Sequence, residues 1–160
     1  MASSPYITAE GYAELNQELT ARWARRRDVV KALSAAAAEG DRSENAEYIY
    51  RKKQLREIDR RVRYLQKRTA EMQVIEHTPS NQNKVFFGAQ VTVSDDHNNE
   101  TVYRIVGSDE FDAHPEYISV DSPMARALLG KELDDEVIVK LPEETKRLWI
   151  VDLHYPSPHE

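Results

Sequence analysis

The feature that most limits what this chain can fold into is a run of alternating three- and four-residue spacings. It passes through Tyr48, Arg51, Leu55, Ile58, Val62, Leu65, Thr69 and Met72. That 3.5-residue repeat is the signature of a helix whose apolar seam packs along another helix. The partner lies just upstream. Tyr12, Leu15, Leu19, Trp23, Val30, Leu33 and Ala37 predict one apolar face of a first helix, with Thr8 placed to cap it. Gly40 interrupts the pattern, and the second helix is expected to start between Asp41 and Glu44. Two long helices with so short a turn must fold back antiparallel. About 30 residues per helix gives a hairpin about 45 Å long, its turn at the far end.

After Met72 the pattern changes. Residues 77–84, His-Thr-Pro-Ser-Asn-Gln-Asn-Lys, are polar and aperiodic and read as a linker between a hairpin over 1–76 and a second domain over 85–160. In the second part the period falls to two. Strands are expected at residues 90–94, 101–106, 117–120, 136–141 and 148–153. Ser122, Pro123 and Gly130 bracket a short helix with a cap, a first-turn proline and a stop. Phe86 and Phe87 are expected in this domain's core. The fold class is therefore an antiparallel coiled-coil hairpin followed by a small α+β domain, its sheet mostly antiparallel.

Composition matters here for what it excludes. There is no cysteine, so neither a disulfide framework nor a thiolate metal site or nucleophile is available. The five histidines are scattered, which argues against a histidine zinc site. No signal peptide or apolar span is visible, and the simplest location is cytoplasmic. The net charge of −6 hides a split. Residues 1–83 carry 15 Lys and Arg against 12 Asp and Glu; residues 84–160 carry 7 against 16. Halves of opposite sign imply different partners.

Two constellations carry chemistry. The first is Gly40-Asp41-Arg42-Ser43-Glu44-Asn45-Ala46-Glu47-Tyr48 at the turn. Asp41 and Glu44, three apart at a helix start, can face the same way off the hairpin's end. The same spacing also fits a capping box, and acids there suit the helix dipole. If the pair holds a hard cation such as Mg²⁺, two carboxylates leave most of its shell to another molecule. The second is the basic run from Arg51 to Arg68, with nine Lys and Arg against Glu57 and Asp59. Lys52, Arg56, Arg60, Arg63 and Lys67 form one stripe away from the seam. It reads as a phosphate track or as a solvated face, and its excess of seven positive charges favours the track. No nucleotide-binding loop, nucleophile elbow or zinc-protease motif is present, so self-contained catalysis has no visible candidate.

These motifs together resemble the Gre transcript-cleavage factors. The tip sequence resembles theirs, and residues 55–65 look like the branch with the larger basic patch, the GreB branch. Lys84–Ala89 and Tyr117–Leu129 are also similar to that branch. The resemblance covers nearly the whole chain in the family's order. It implies a second domain similar to FKBP-type isomerases that docks on the rim of the secondary channel of bacterial RNA polymerase through Asp121, Ser122 and Pro123. It further implies that the coiled coil enters the channel of a backtracked elongation complex. Asp41 and Glu44 would then share a Mg²⁺ with the polymerase, with Asn45 in support, and stimulate the polymerase's own cleavage of the nascent RNA. Lys52, Lys53, Arg56 and Arg60 would hold the RNA 3′ end. On this reading the chain is a monomer with no membrane partner and binds no cofactor alone. It is not itself an enzyme, and no isomerase activity is expected of its second domain. The competing reading is a secondary-channel regulator that does not stimulate cleavage.

Overall fold

The computed structural model describes residues 3–39, 45–76 and 78–156. Their contacts divide the chain into two units, one of residues 13–71 and one joining residues 1–12 to residues 72–160. The first twelve residues, expected with the hairpin, thus group with the second unit.

The first unit is built on helices α1 (Ala9–Ala37) and α2 (Ala46–Glu71). Their partners across the pair run in opposite directions along the chain. Arg61 meets Glu18, Asp59 meets Arg26 and Asn45 meets Ala36, which makes the helices antiparallel. Seven of the eight expected seam positions lie on α2 and Met72 lies just past its end; all eight are buried or half-buried, and Ile58, Val62 and Leu65 are the fully buried ones. On α1 the seam is not the expected one. Val29 and Ala36 are buried where Val30 and Ala37 were expected, and Trp23 is 39% exposed. The true α1 seam runs Leu15, Leu19, Arg22, Arg26, Val29, Leu33, Ala36, at spacings of four and three. Two of its slots hold arginines. Their aliphatic stems cover the seam while their heads reach outward to acids.

The second unit is a five-stranded sheet of β3 (Gln90–Ser94), β4 (Glu100–Val106), β5 (Tyr117–Ser119), β6 (Glu136–Lys140) and β7 (Thr145–His154), in the order β5-β4-β3-β7-β6. Every neighbouring pair is antiparallel except β4–β5, which is parallel, so the sheet is mixed. One face is apolar by simple alternation: Val91 and Val93 on β3, Val137 and Val139 on β6 are buried. Helix α3 (Pro123–Leu128) covers that face with Met124, Ala125 and Leu128. Ser122 caps α3, accepting from the Ala125 amide at 3.2 Å, with Pro123 in its first turn. Phe87 packs on this core, but Phe86 does not belong to it and is 38% exposed. The Phe86 amide instead donates to the Tyr155 hydroxyl at 2.9 Å, and burial raises the pKa of that phenol.

A second, unanticipated sheet explains the grouping of the N-terminus. Strand β1 (Tyr6–Thr8) pairs in parallel with β2 (Gln73–Ile75). Thr8 then caps α1, its hydroxyl oxygen accepting from the Gly11 amide at 3.1 Å. Thr8 is itself held by Glu110, a buried acid. The Glu110 carboxylate accepts from the Thr8 amide, the Thr8 hydroxyl and the Gly107 amide, the two amides both at 2.8 Å. Glycine is required on both sides of this clip. A Cβ on Gly11 would stand 2.3 Å from a Glu110 carboxylate oxygen, and one on Gly107 would stand 2.2 Å from the Tyr6 carbonyl.

Candidate nucleic-acid interface and hairpin tip

Asn45 fills the N-cap position of α2, a residue later than the start expected between Asp41 and Glu44. Its side-chain oxygen accepts from the Tyr48 amide at 3.0 Å, and its amide nitrogen donates to the Ala36 carbonyl on α1 at 2.7 Å. One side chain thus satisfies an orphan donor of the second helix and an orphan acceptor near the end of the first. One end of the Asn45 amide caps α2, and the other ties it to α1. Asp41 and Glu44, the two acids of the tip motif, lie outside the described residues. Among the described residues, no group of three or more His, Cys, Asp or Glu side chains is placed to hold a metal ion.

The basic run on α2 separates into two populations. Arg51 and Arg61 face acids. Arg51 pairs with Glu47 one turn back at 2.7 Å, and Arg61 grips Glu18 of α1 with two nitrogens at 2.8 and 2.9 Å. Arg22 also reaches Glu18, at 2.6 Å. The Arg61 hydrogen bond, opposed by burial and helped by Arg22, drops the Glu18 carboxyl to about 2. On the same helix pair, Arg26 binds Asp59 at 2.7 Å, which raises the Arg26 pKa. The other population is the stripe. Lys52, Lys53, Arg56, Arg60, Arg63 and Lys67 are all exposed. Lys52 lies 5.7 Å from the Tyr48 ring, and the Arg63 Nε donates to the Asp59 carbonyl at 3.4 Å. Among the described residues, none of these six has a carboxylate partner. Charges that stabilise the hairpin are therefore spent pairwise near the seam, and the outward charges are left for solvent or a ligand.

The residues expected to dock on a partner sit together at the start of α3. The Asp121 carboxylate accepts from the Ser4 amide at 2.9 Å and from the Ser4 hydroxyl. Ser122 is the cap described above, and Pro123 is exposed. The structure thus gives Asp121 and Ser122 work inside the fold, shaping a turn whose outer surface is Pro123. The turn and the basic stripe belong to different units. Trp23 is what the sequence reading misplaced. Its helical spacing made it look like seam, and only the arginine-bearing register on α1 puts it outside.

Comparison with known proteins matches two family models along the chain. Residues 5–74 match the family model described as the N-terminal domain of transcription elongation factors, and residues 79–155 match that of the GreA/GreB C-terminal domain. Transcription elongation factor GreB of Xanthomonas axonopodis pv. citri is 55% identical over 157 residues, covering 97% of this chain and 94% of that protein. GreB of Pseudomonas aeruginosa is 53% identical over 156 residues, covering 97% and 93%. A solved structure of the transcription factor Gfh1 aligns over 96% of this chain and 99% of its own, at 23% identity and a TM-score of 0.46, too loose to add to the relatives' evidence. By both family matches and by these relatives, the chain belongs to the GreA/GreB family of transcription elongation factors.

Proposed function

We propose that the chain acts on bacterial RNA polymerase as a GreB-type transcript-cleavage factor, lending the tip acids Asp41 and Glu44 to the polymerase's active site. The observation that carries the reading is the stripe. A helix whose seam is fully committed to its partner keeps six cations exposed and, among the described residues, unpaired by carboxylates on its outer surface. Such a line of charge suits a phosphate backbone far better than solvation alone. Nearly full-length similarity at about half identity to GreB proteins supplies the context.

In this reading the hairpin enters the secondary channel of a backtracked elongation complex. Lys52, Lys53, Arg56 and Arg60 hold the phosphates of the nascent RNA 3′ end. Asp41 and Glu44 present two carboxylates at the reacting phosphate. Hard oxygen donors of this kind fit Mg²⁺, and two of them leave an incomplete shell that the polymerase and its RNA would fill. A shared Mg²⁺ would supply Lewis-acid activation for hydrolysis. Asn45 positions the tip through its bonds to Ala36 and Tyr48. The turn at Asp121, Ser122 and Pro123 meets the rim of the channel. The factor by itself has no hydrolytic activity, and the chemistry belongs to the polymerase.

The test is a stalled, backtracked polymerase with end-labelled RNA and Mg²⁺. Adding the chain should shorten the transcript, and the chain without polymerase should leave the RNA intact. Charge reversal at Lys52 and Arg56 should slow shortening about tenfold or more, on the scale of two lost phosphate contacts. No shortening by the natural chain would replace this reading with a channel-binding regulator that does not stimulate cleavage.

A further inference from the structure

Trp23 is one of the large side chains that the hairpin leaves exposed, along with Ile49, Tyr50 and Tyr64. It lines a groove of about 480 Å³ between the helices, with Arg26 of α1 and Asp59, Val62, Arg63 and Gln66 of α2. The floor is Val62, which is buried in the seam. One wall is Arg26, whose guanidinium lies 5.9 Å from the Trp23 ring centre and is fixed there by Asp59. The opposite wall is Arg63 with Gln66, both exposed. Gln66 keeps its side-chain amide without a partner among the described residues.

Three properties of this groove point to one kind of occupant. It offers an indole at 39% exposure, a surface that a flat ring would cover. It presents a free amide able to donate and accept at once, as the edge of a nucleobase requires. Arg63 belongs both to the groove and to the basic stripe, so a strand whose phosphates follow Lys52, Arg56, Arg60 and Arg63 passes the groove's mouth. We infer that the groove is a base-stacking site for single-stranded RNA, in which a base lies against Trp23 with its edge toward Gln66 and its phosphate on Arg63. This inference rests on the proposed function for its RNA, and it changes the stripe from a pure phosphate track into one with a stacking platform.

Base stacking separates from phosphate binding by using two strands of equal length, an oligouridylate and its abasic ribose-phosphate counterpart. Each is titrated at low salt against the full chain by fluorescence anisotropy. The natural chain should prefer the base-bearing strand. Trp23→Ala should weaken that strand about 5- to 150-fold, the range for one lost stack, and leave the abasic strand unchanged. Trp23→Phe should recover most of the loss, and Arg63→Gln should weaken both strands. Equal effects of Trp23→Ala on the two strands, no effect on either, or no binding of the natural chain to either strand would overturn the inference. So would a Trp23-dependent dimer in sedimentation, which would make it a self-contact. Because the assay contains no polymerase, its outcome is independent of transcript shortening, and either reading can fail without the other.

Discussion

The two units of this protein are held together by different means. The sheet unit has a continuous apolar core under α3, and the one acid buried among its described residues, Glu110, meets three donors. The hairpin has a narrow core around Val29, Ile58 and Val62, with paired charges beside it. A two-helix pair has too little interior to bury much apolar surface, so its seam accepts arginines whose stems are apolar and whose heads find acids. The lesson is a division of labour. The sheet unit uses its buried acid to fix the N-terminal strand, and the hairpin leaves its outer face free to carry charge.

That contrast can be broken by truncating one buried side chain in each unit, the leucine losing one carbon more than the valine. Leu128→Ala, under α3, should destabilise the sheet unit by about 2–5 kcal/mol through the cavity it leaves. Val62→Ala in the hairpin should cost about 1–2 kcal/mol, because fewer methylenes lose burial. Chemical denaturation would read the first by Trp149 fluorescence and the second by far-UV circular dichroism. Equal costs, despite the smaller truncation in the hairpin, would mean that the hairpin is at least as well packed as the sheet.

The next largest effect concerns the clip. Glu110→Ala strands two buried amides and a hydroxyl, each worth about 1–3 kcal/mol when unsatisfied, and the shortfall should reach about 3 kcal/mol after relaxation. Hydrogen exchange at Thr8 and Gly107 would rise with it. Unchanged protection there would show that β1 and β2 pair without Glu110.

Much of this was legible in the sequence. The α2 seam could be read at every position because its repeat is unbroken, Arg51 included. The α1 seam could not, because Arg22 and Arg26 hide two of its slots and offer Trp23 and Val30 as decoys. Strands β3 to β7 follow from period-two alternation and turn residues. Strands β1 and β2 escape because three residues carry no period and their pairing joins segments far apart in the chain. Glu110 looked like one acid among sixteen in its half. The stripe was legible as spacing, and the structure adds that its cations are exposed while Arg51 and Arg61 are paired. The cap of α2 was expected at Asp41 to Glu44, which lie outside the described residues, and is held by Asn45.

Smaller effects sharpen the hairpin's side of the comparison. Asn45→Ala should cost about 1 kcal/mol as a lost cap. Because its amide also holds Ala36, Asn45→Asp should recover only part of that loss, and circular dichroism melts of the three proteins would show whether the bond to Ala36 matters. Acid should act through Glu18. Its carboxyl sits at about 2 in the folded chain and near 4.5 when free, so its contribution is complete above about pH 4.5 and fades as pH falls toward 2. Both partners are partly exposed, which keeps the effect below about 1 kcal/mol. Glu18→Gln should remove that slope from the hairpin's stability between pH 5 and 2, and an unchanged slope would assign it to other carboxylates.

The central claim is that the hairpin tip carries the chemistry while the rest of the chain places it. The most direct measurement compares the natural chain with Asp41→Ala/Glu44→Ala in a backtracked polymerase complex, following both polymerase affinity and transcript shortening. The account predicts that the double variant binds polymerase with nearly natural affinity and shortens the transcript at least a hundredfold more slowly, on the order of the few kcal/mol expected for lost transition-state stabilisation. Shortening at the natural rate by a variant that binds normally would contradict it and move the chemistry away from the tip.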